Sequence, residues 1–186
     1  MYDFLSDIHT DRLLLREFEK SDVDDVFEYS QNPNVGPRAG WAPHKTKRES
    51  KYAVKSFIES RCTWAIVYRG TNKVIGTIGL HPDDKRHNRR ARMMGYSISE
   101  EYWGMGLATE AAKAVLRHAF EVWKLDLVSI HHFPENEKSK RVIEKCGFTY
   151  EGTIRFASQL FNEPTARDNV CYSMTRDEYE KIYGEI

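Results

Sequence analysis

The sequence has few cysteines, no long apolar run and no excess of charge of either sign. Its three cysteines, Cys62, Cys146 and Cys171, are an odd number without CxxC spacing, which argues against a disulfide framework or a zinc site. No apolar stretch approaches the ~18 residues that a membrane-spanning helix needs. The charged N-terminus lacks the apolar segment of a signal peptide. We therefore expect a soluble, cytoplasmic protein that binds no metal.

The balanced charge also bears on partners. Lysine and arginine number 28, as do aspartate and glutamate, so no overall field attracts nucleic acid or a membrane. Two basic segments, residues 45–51 and 85–92, leave an RNA- or ribosome-binding role as an alternative, although the net charge argues against it as the main one. Neither a repeat nor a linker interrupts the chain, so we expect one domain over residues 1–186.

Apolar periodicity predicts a mixed α/β chain. A loop with three prolines is expected over residues 31–44, and loops of this length are often functional. The predicted strands cover residues 12–18, 63–69, 73–81, 91–99, 125–133, 148–156 and 169–175. The predicted helices cover residues 21–30, 47–61, 107–122, 136–146 and 176–184. This order indicates a mixed sheet with helices on its faces.

A Gly-x-Gly motif, Gly104-Met105-Gly106, stands where a strand ends and the longest apolar helix pattern begins. The N-terminus of a helix presents unpaired N–H groups and partial positive charge, and glycines let a ligand approach the backbone closely, so the motif suits phosphate oxygens. The Gly-Lys-Ser/Thr of a Walker loop is absent, and Thr109 stands where a dinucleotide fingerprint needs its third glycine. On its own, the motif would favour a simple tight turn, and the surrounding sequence changes that balance.

The surrounding sequence resembles the GNAT superfamily of acetyl-CoA-dependent N-acetyltransferases. The likeness rests on "YSISEEYWGMGLATEA" and "ENEKSKRVIEKCGFTYEGTIR", in that order. Within the superfamily it is similar to the Rim-type ribosomal-protein N-terminal acetyltransferases, which "TDRLLLREF" and "NRRARMMGYSI" also match. The resemblance implies a mostly antiparallel central sheet with a splayed strand pair and helices on both faces.

The resemblance also implies where acetyl-CoA binds. The Gly-rich loop would hold the pyrophosphate, the strand before it would pair with the pantetheine arm and stabilise the oxyanion, and the Asn-x-x-Ser motif would contact the arm and the sulfur. Trp103 stands where the family often has Gln or Arg. The expected coenzyme-binding residues are Tyr96, Ser97, Ile98, Trp103, Gly104, Met105, Gly106, Leu107, Ala108, Thr109, Asn136 and Ser139.

The resemblance leaves the catalytic groups less defined. Many relatives use a tyrosine four residues after Ser139, but Ile143 stands there, so we expect Ser139 to protonate the leaving thiolate. Relatives often carry an acidic residue two positions before "GY", where this chain has Met93. Glu100 or Glu101 then becomes the expected base, unless the two are a solvated surface pair. His132 is a further candidate, or a structural histidine.

The acceptor amine is expected between the early loop and the late strands. Arg38, Trp41 and Phe156 are the predicted substrate contacts, with Arg155 and Phe161 beside them. An aromatic and basic rim favours a protein or peptide N-terminal α-amine over a polyamine, whose charges require carboxylates. The alternatives are a small-molecule amine (polyamine, amino acid or antibiotic) and a CoA-binding module without turnover. We expect a monomer or a homodimer.

Overall fold

The computed structural model describes residues 5–160 and 163–184, and within them one sheet of eight strands forms the centre. Along the sheet the strands follow the order β1-β2-β3-β4-β5-β6-β8-β7. The strands are β1 Ile8–His9, β2 Leu13–Arg16, β3 Thr63–Tyr68, β4 Lys73–Pro82, β5 Ala91–Ile98, β6 Leu127–His132, β7 Thr149–Ser158 and β8 Arg167–Thr175. The α-helices are α1 Val23–Ser30, α2 Gly36–Ala39, α3 Lys47–Ser60, α4 Leu107–Arg117, α5 Glu137–Lys145 and α6 Arg176–Tyr183.

Strands β5 and β6 separate soon after they meet. They are the parallel pair of an otherwise antiparallel sheet across the described residues, and Ala91–Met93 pairs with Leu127–Ser129. Strand β5 continues to Ile98 and β6 to His132 without further pairing between them. Backbone groups along the two separated stretches are therefore available to a ligand. The prediction of a mostly antiparallel sheet with a splayed strand pair is confirmed.

Alternating side chains give the sheet two apolar faces. On one face, Ile78 and Met94 pack with the apolar side of α4, including Ala111 and Val115. On the other face, Ala65 and Val67 of β3 and Val74 of β4 pack with Val26 of α1 and Val54 of α3. Helices thus cover both faces of the sheet, as expected. They do not fill the gap between the separated stretches of β5 and β6.

Three local features differ from the sequence-based expectation. The predicted loop contains α2, a single turn that ends at Gly40 with a φ of 92°. The helix that begins at Leu107 changes at His118 to a π-helical turn, in which the Trp123 N–H donates to the His118 carbonyl. Apolar periodicity continues through that turn, so the sequence shows no sign of the change. Strand β1 is too short to produce an alternating pattern.

None of the described helices is long and apolar enough to cross a membrane.

Candidate active site

The separation of β5 from β6 opens a cleft of about 1010 Å³. Its walls come from β5, the loop before α4, the start of α5, and α2 with the residues that follow it. Most of the residues expected to bind acetyl-CoA or an acceptor contribute to these walls. Those residues are Arg38, Trp41, Tyr96, Ser97, Ile98, Trp103, Gly104, Gly106, Leu107, Ala108, Thr109, Asn136 and Ser139.

The Gly-x-Gly loop has the backbone that its sequence suggests. Gly104 and Gly106 have φ angles of 79° and 78°, in the left-handed region that glycine enters without steric cost. Gly106 is the N-cap of α4, and its carbonyl accepts the Glu110 N–H at 3.0 Å. The N–H groups that come before Glu110 in the first turn therefore have no acceptor within the helix, and they lie at the end of α4 that borders the cleft. This arrangement suits an anion such as pyrophosphate.

Arg12, the residue just before β2, forms hydrogen bonds that fix this loop to the rest of the chain. Its Nη1 donates to the Met105 carbonyl at 2.9 Å, and its Nε donates to the Glu110 carboxylate at 2.7 Å. Glu110 also accepts the Thr10 hydroxyl at 2.6 Å. Burial opposes ionisation of Glu110, but the bonds from Thr10 and Arg12 lower its pKa below the usual value. Sequence reasoning missed this contact because its partners lie 93 and 98 residues apart.

Positive side chains surround the cleft near the loop. Lys138 Nζ lies 3.9 Å from the centre of the Trp103 ring, and the Arg38 guanidinium lies 5.7 Å from the same ring. Arg141 and Lys145, both on α5, also line the cleft. Trp103 thus gathers cations where relatives often carry Gln or Arg, through attraction to its aromatic face. Together with the N-terminus of α4, these charges fit the phosphates of CoA.

Asn136 and Ser139 are positioned by the start of α5. The Asn136 Oδ1 accepts the Ser139 N–H at 3.2 Å, which caps the helix, and its Nδ2 donates to the Arg38 carbonyl at 3.1 Å. The Ser139 hydroxyl lies 2.9 Å from the hydroxyl of Tyr96. Burial raises the pKa of Tyr96, against the opposing effect of the Ser139 bond, so the phenol stays protonated. The Tyr96 side chain therefore belongs to the site together with its backbone.

The two glutamates lie outside the cleft lining. The Glu100 carboxylate accepts hydrogen bonds from the side-chain amides of Asn34 and Asn32, and these bonds lower its pKa. A carboxylate with a lowered pKa is a weaker base. Glu101 is exposed. The hypothesis expected both residues beside the cleft, and neither belongs to its lining.

Two further predicted residues also point elsewhere. Phe156 is 73% exposed, with a φ of 51°, and its N–H donates to the Asp168 carboxylate at 2.9 Å. Met105 is 42% exposed and contacts Arg12 through its carbonyl. Neither residue belongs to the cleft lining, although the role expected of Met105 was that of its backbone N–H. Arg155 is exposed on β7, and Phe161 lies outside the described residues.

His132 is buried at the end of β6. Its Nδ1 lies 2.8 Å from the Phe133 carbonyl, to which it donates, and its Nε2 lies 3.4 Å from the Tyr172 hydroxyl. These contacts match the structural alternative for His132. In the described ranges, no cluster of three or more His, Cys, Asp or Glu side chains could hold a metal ion.

A family model described as "Acetyltransferase (GNAT) domain" matches residues 12–149. The uncharacterized N-acetyltransferase YoaA of Bacillus subtilis is 31% identical over 174 residues, which cover 91% of this chain and 96% of YoaA. YdaF, a candidate ribosomal N-acetyltransferase of the same species, is 36% identical over 62% of this chain and 60% of its own. A solved GNAT-family acetyltransferase from Bacillus anthracis superposes with a TM-score of 0.83 at 26% identity, covering 93% of this chain and all of that one.

A mixed sheet that opens beside a glycine loop and a helix N-terminus agrees with the family match, which assigns the chain to the acetyltransferases. The chain belongs to the GNAT acetyltransferase family, which confirms the resemblance, and the likeness to YdaF agrees with the Rim-type branch. The protein is an N-acetyltransferase that uses acetyl-CoA.

Proposed function

We propose that the protein transfers an acetyl group directly from acetyl-CoA to the N-terminal α-amine of a protein or peptide. The observation that carries this choice is the composition of the cleft. Among the described residues, no aspartate or glutamate lines it, whereas Arg38, Lys138, Arg141 and Lys145 do. The several positive charges of a polyamine or a polycationic antibiotic would find no carboxylate partner in this lining, whose basic residues face the phosphates of CoA. A peptide α-amine carries only one positive charge.

Residues from the early and late parts of the chain line the cleft with groups that suit a peptide. Trp41 and Phe57 offer apolar surface, and Gln159 offers an amide beside the backbone of Ser158 and Leu160. A peptide backbone has hydrogen-bonding groups and side chains that can use both kinds of contact. The candidate ribosomal function of YdaF, the relative with 36% identity, supports the same substrate class.

The residues of the chain divide the chemistry between them. Acetyl-CoA supplies a thioester carbon that an amine can attack, with a thiolate as leaving group. In this proposal the loop from Gly104 to Thr109 anchors the coenzyme, and Ser139 donates a proton to the departing sulfur. The phenol of Tyr96 is held neutral and shares a hydrogen bond with Ser139 in which either oxygen can be the donor. When Tyr96 donates, the Ser139 proton is free for the sulfur.

The test compares acceptors at equal concentration by release of CoA thiol. A peptide with an N-terminal serine should be acetylated, and the same peptide with a blocked N-terminus should not be. Spermidine should react far more slowly, because no carboxylate of the described cleft lining pairs with its charges. Faster reaction with spermidine or a small amine would overturn the peptide proposal. If acetyl-CoA raises the melting temperature but no amine reacts, the chain is a CoA-binding module instead.

A further inference from the structure

An attacking amine must lose a proton, and the cleft offers few groups that can accept it. Carboxylates do not line it within residues 5–160 and 163–184. Three histidines do: His81, His131 and His132. Histidine is the side chain whose ordinary pKa lies closest to neutrality, so these three are the natural bases of this cleft.

Two of the three histidines are poorly suited. Both ring nitrogens of His132 have partners, the Phe133 carbonyl and the Tyr172 hydroxyl. Burial lowers the pKa of His131, and the charge of Lys85 acts in the same direction. A histidine with a lowered pKa holds a proton less strongly, and one with both nitrogens engaged has no free lone pair to offer.

His81 occupies a space that two glycines create. It lies on β4 on the same face as Gly79, and β4 pairs with β5 so that Gly79 faces Gly95 and His81 faces Met93. A Cβ at Gly79 would lie 2.7 Å from His81 Nε2, and one at Gly95 would lie 3.9 Å from its Cδ2. The ring therefore lies over the glycine pair, beside the stretch of β5 that has separated from β6.

The thiol of Cys62 contacts the second ring nitrogen of His81. Its Sγ lies 3.3 Å from His81 Nδ1. Burial alone would raise the pKa of the Cys62 thiol, but hydrogen bonds from His81 and Ser60 lower it to about 7. A sulfur with thiolate character accepts a hydrogen bond from Nδ1–H, so Nδ1 keeps its proton and the lone pair lies on Nε2. Thr63, whose hydroxyl would lie 3.0 Å from a Cβ at Gly79, and the cross-strand Met93 carry no charge.

We propose that His81 is the general base for the acceptor amine, with Cys62 as the positioning residue that fixes its tautomer. This inference rests on the proposed acetyl transfer. The ammonium form of the acceptor gives one proton to Nε2, which becomes an imidazolium and later releases that proton to solvent. The free amine then forms the C–N bond as the C–S bond breaks. Its remaining excess proton goes to the thiolate through Ser139, so the products are an amide and CoA thiol.

The kinetic test uses His81→Asn with the serine peptide across a range of pH. Loss of a general base should lower kcat/KM by about 10²- to 10⁴-fold at pH 6.5. The defect should shrink above pH ~8.5, because a peptide α-amine with a pKa of about 7.7–8.0 is then already neutral in solution. A merely structural role would give a defect independent of pH. His87→Asn, on an exposed loop, is the matched control and should keep the wild-type profile.

Two readouts separate this inference from the proposed function. Acetyl-CoA should raise the melting temperature of His81→Asn as much as that of the wild type, because His81 lies away from the glycine loop. NMR of ¹⁵N-histidine-labelled protein reports the tautomer without any acceptor. Neutral His81 should carry its proton on Nδ1, and Cys62→Ala should abolish that preference. A proton on Nε2 in the neutral ring, or full activity of His81→Asn at pH 6.5, would overturn the assignment.

Discussion

Replacing Gly106 by aspartate and by asparagine tests whether the loop holds a pyrophosphate. The two side chains have the same shape, and both enter the left-handed region more readily than most residues. Since the φ of Gly106 is 78°, each variant should lose about 1–2 kcal/mol of folding stability. For a chain of this size, that corresponds to a melting temperature lower by about 2–8 °C. The two variants should therefore be equally stable and differ in one charge.

The charge determines the expected difference in binding. Two unit charges ~4 Å apart interact by about 1 kcal/mol in water and by about 4 kcal/mol at an effective dielectric constant near 20. Gly106 is exposed, so the lower value applies to each of the two pyrophosphate charges, for a total of about 2 kcal/mol. Arg12 Nη2, 3.7 Å from a Cβ at this position, is already paired with Glu110 and offsets little of it. We expect the aspartate variant to bind acetyl-CoA about 30-fold more weakly than the asparagine variant.

Isothermal titration calorimetry measures both dissociation constants. The difference should narrow as salt rises from ~0.02 M to ~0.5 M, because charges at an exposed loop are screened. S-acetylpantetheine, which lacks the pyrophosphate, is the control ligand and should not discriminate between the variants. Equal affinities for acetyl-CoA, or the same discrimination with S-acetylpantetheine, would refute the assignment of the loop to pyrophosphate.

Two further predictions concern groups beside the loop. Ser139→Ala should lower kcat for the serine peptide by about 10²-fold or more. Tyr96→Phe removes only the hydroxyl that lies 2.9 Å from Ser139, so it should lower kcat less. Stopped-flow measurement of CoA release gives both rates, and unchanged rates would remove the pair from the mechanism. Glu110 has a lowered pKa in the folded state, so its stabilising effect is present above its unfolded pKa of about 4.3 and is lost as the pH falls through the folded value. In urea unfolding, the advantage of the wild type over Glu110→Gln should therefore hold above about pH 5 and decrease as the pH falls below the unfolded pKa of about 4.3. A difference that stays constant with pH would contradict the pKa shift.

The parts of the site that depend on local sequence were predictable. Glycines before an apolar helix pattern mark the loop at Gly104 and Gly106, because few other residues adopt its backbone. An asparagine three residues before a serine marks the cap at Asn136. The splayed strands followed from the family resemblance, since β5 and β6 have ordinary strand sequences.

The parts that depend on strand register and on distant contacts were not predictable. His81 faces Met93 only because β4 and β5 pair in one particular register, and a shift by one residue would turn it to the opposite face. Glu100 looked available as a base, but it is bonded by Asn32 and Asn34, which lie 68 and 66 residues away. No spacing in the sequence reports such a contact. Tyr96 meets Ser139 across 43 residues for the same reason.

Strand β5 separates the groups proposed for the two proton transfers, because they lie on its opposite faces. Because neighbouring side chains on a strand point to opposite faces, Tyr96 points toward α5 and Ser139, whereas Gly95 and Ser97 share a face with His81 and Thr77. Proton removal from the amine and proton return to the sulfur can thus occur on opposite faces of one strand. The amine and the thioester then meet at the gap beside β5 without a covalent carrier. Cys62, Cys146 and Cys171 do not line the cleft, and burial raises the pKa of the Cys146 thiol to about 11, so none of the three suits an acyl-enzyme. This geometry favours direct transfer within a complex of enzyme, acetyl-CoA and amine.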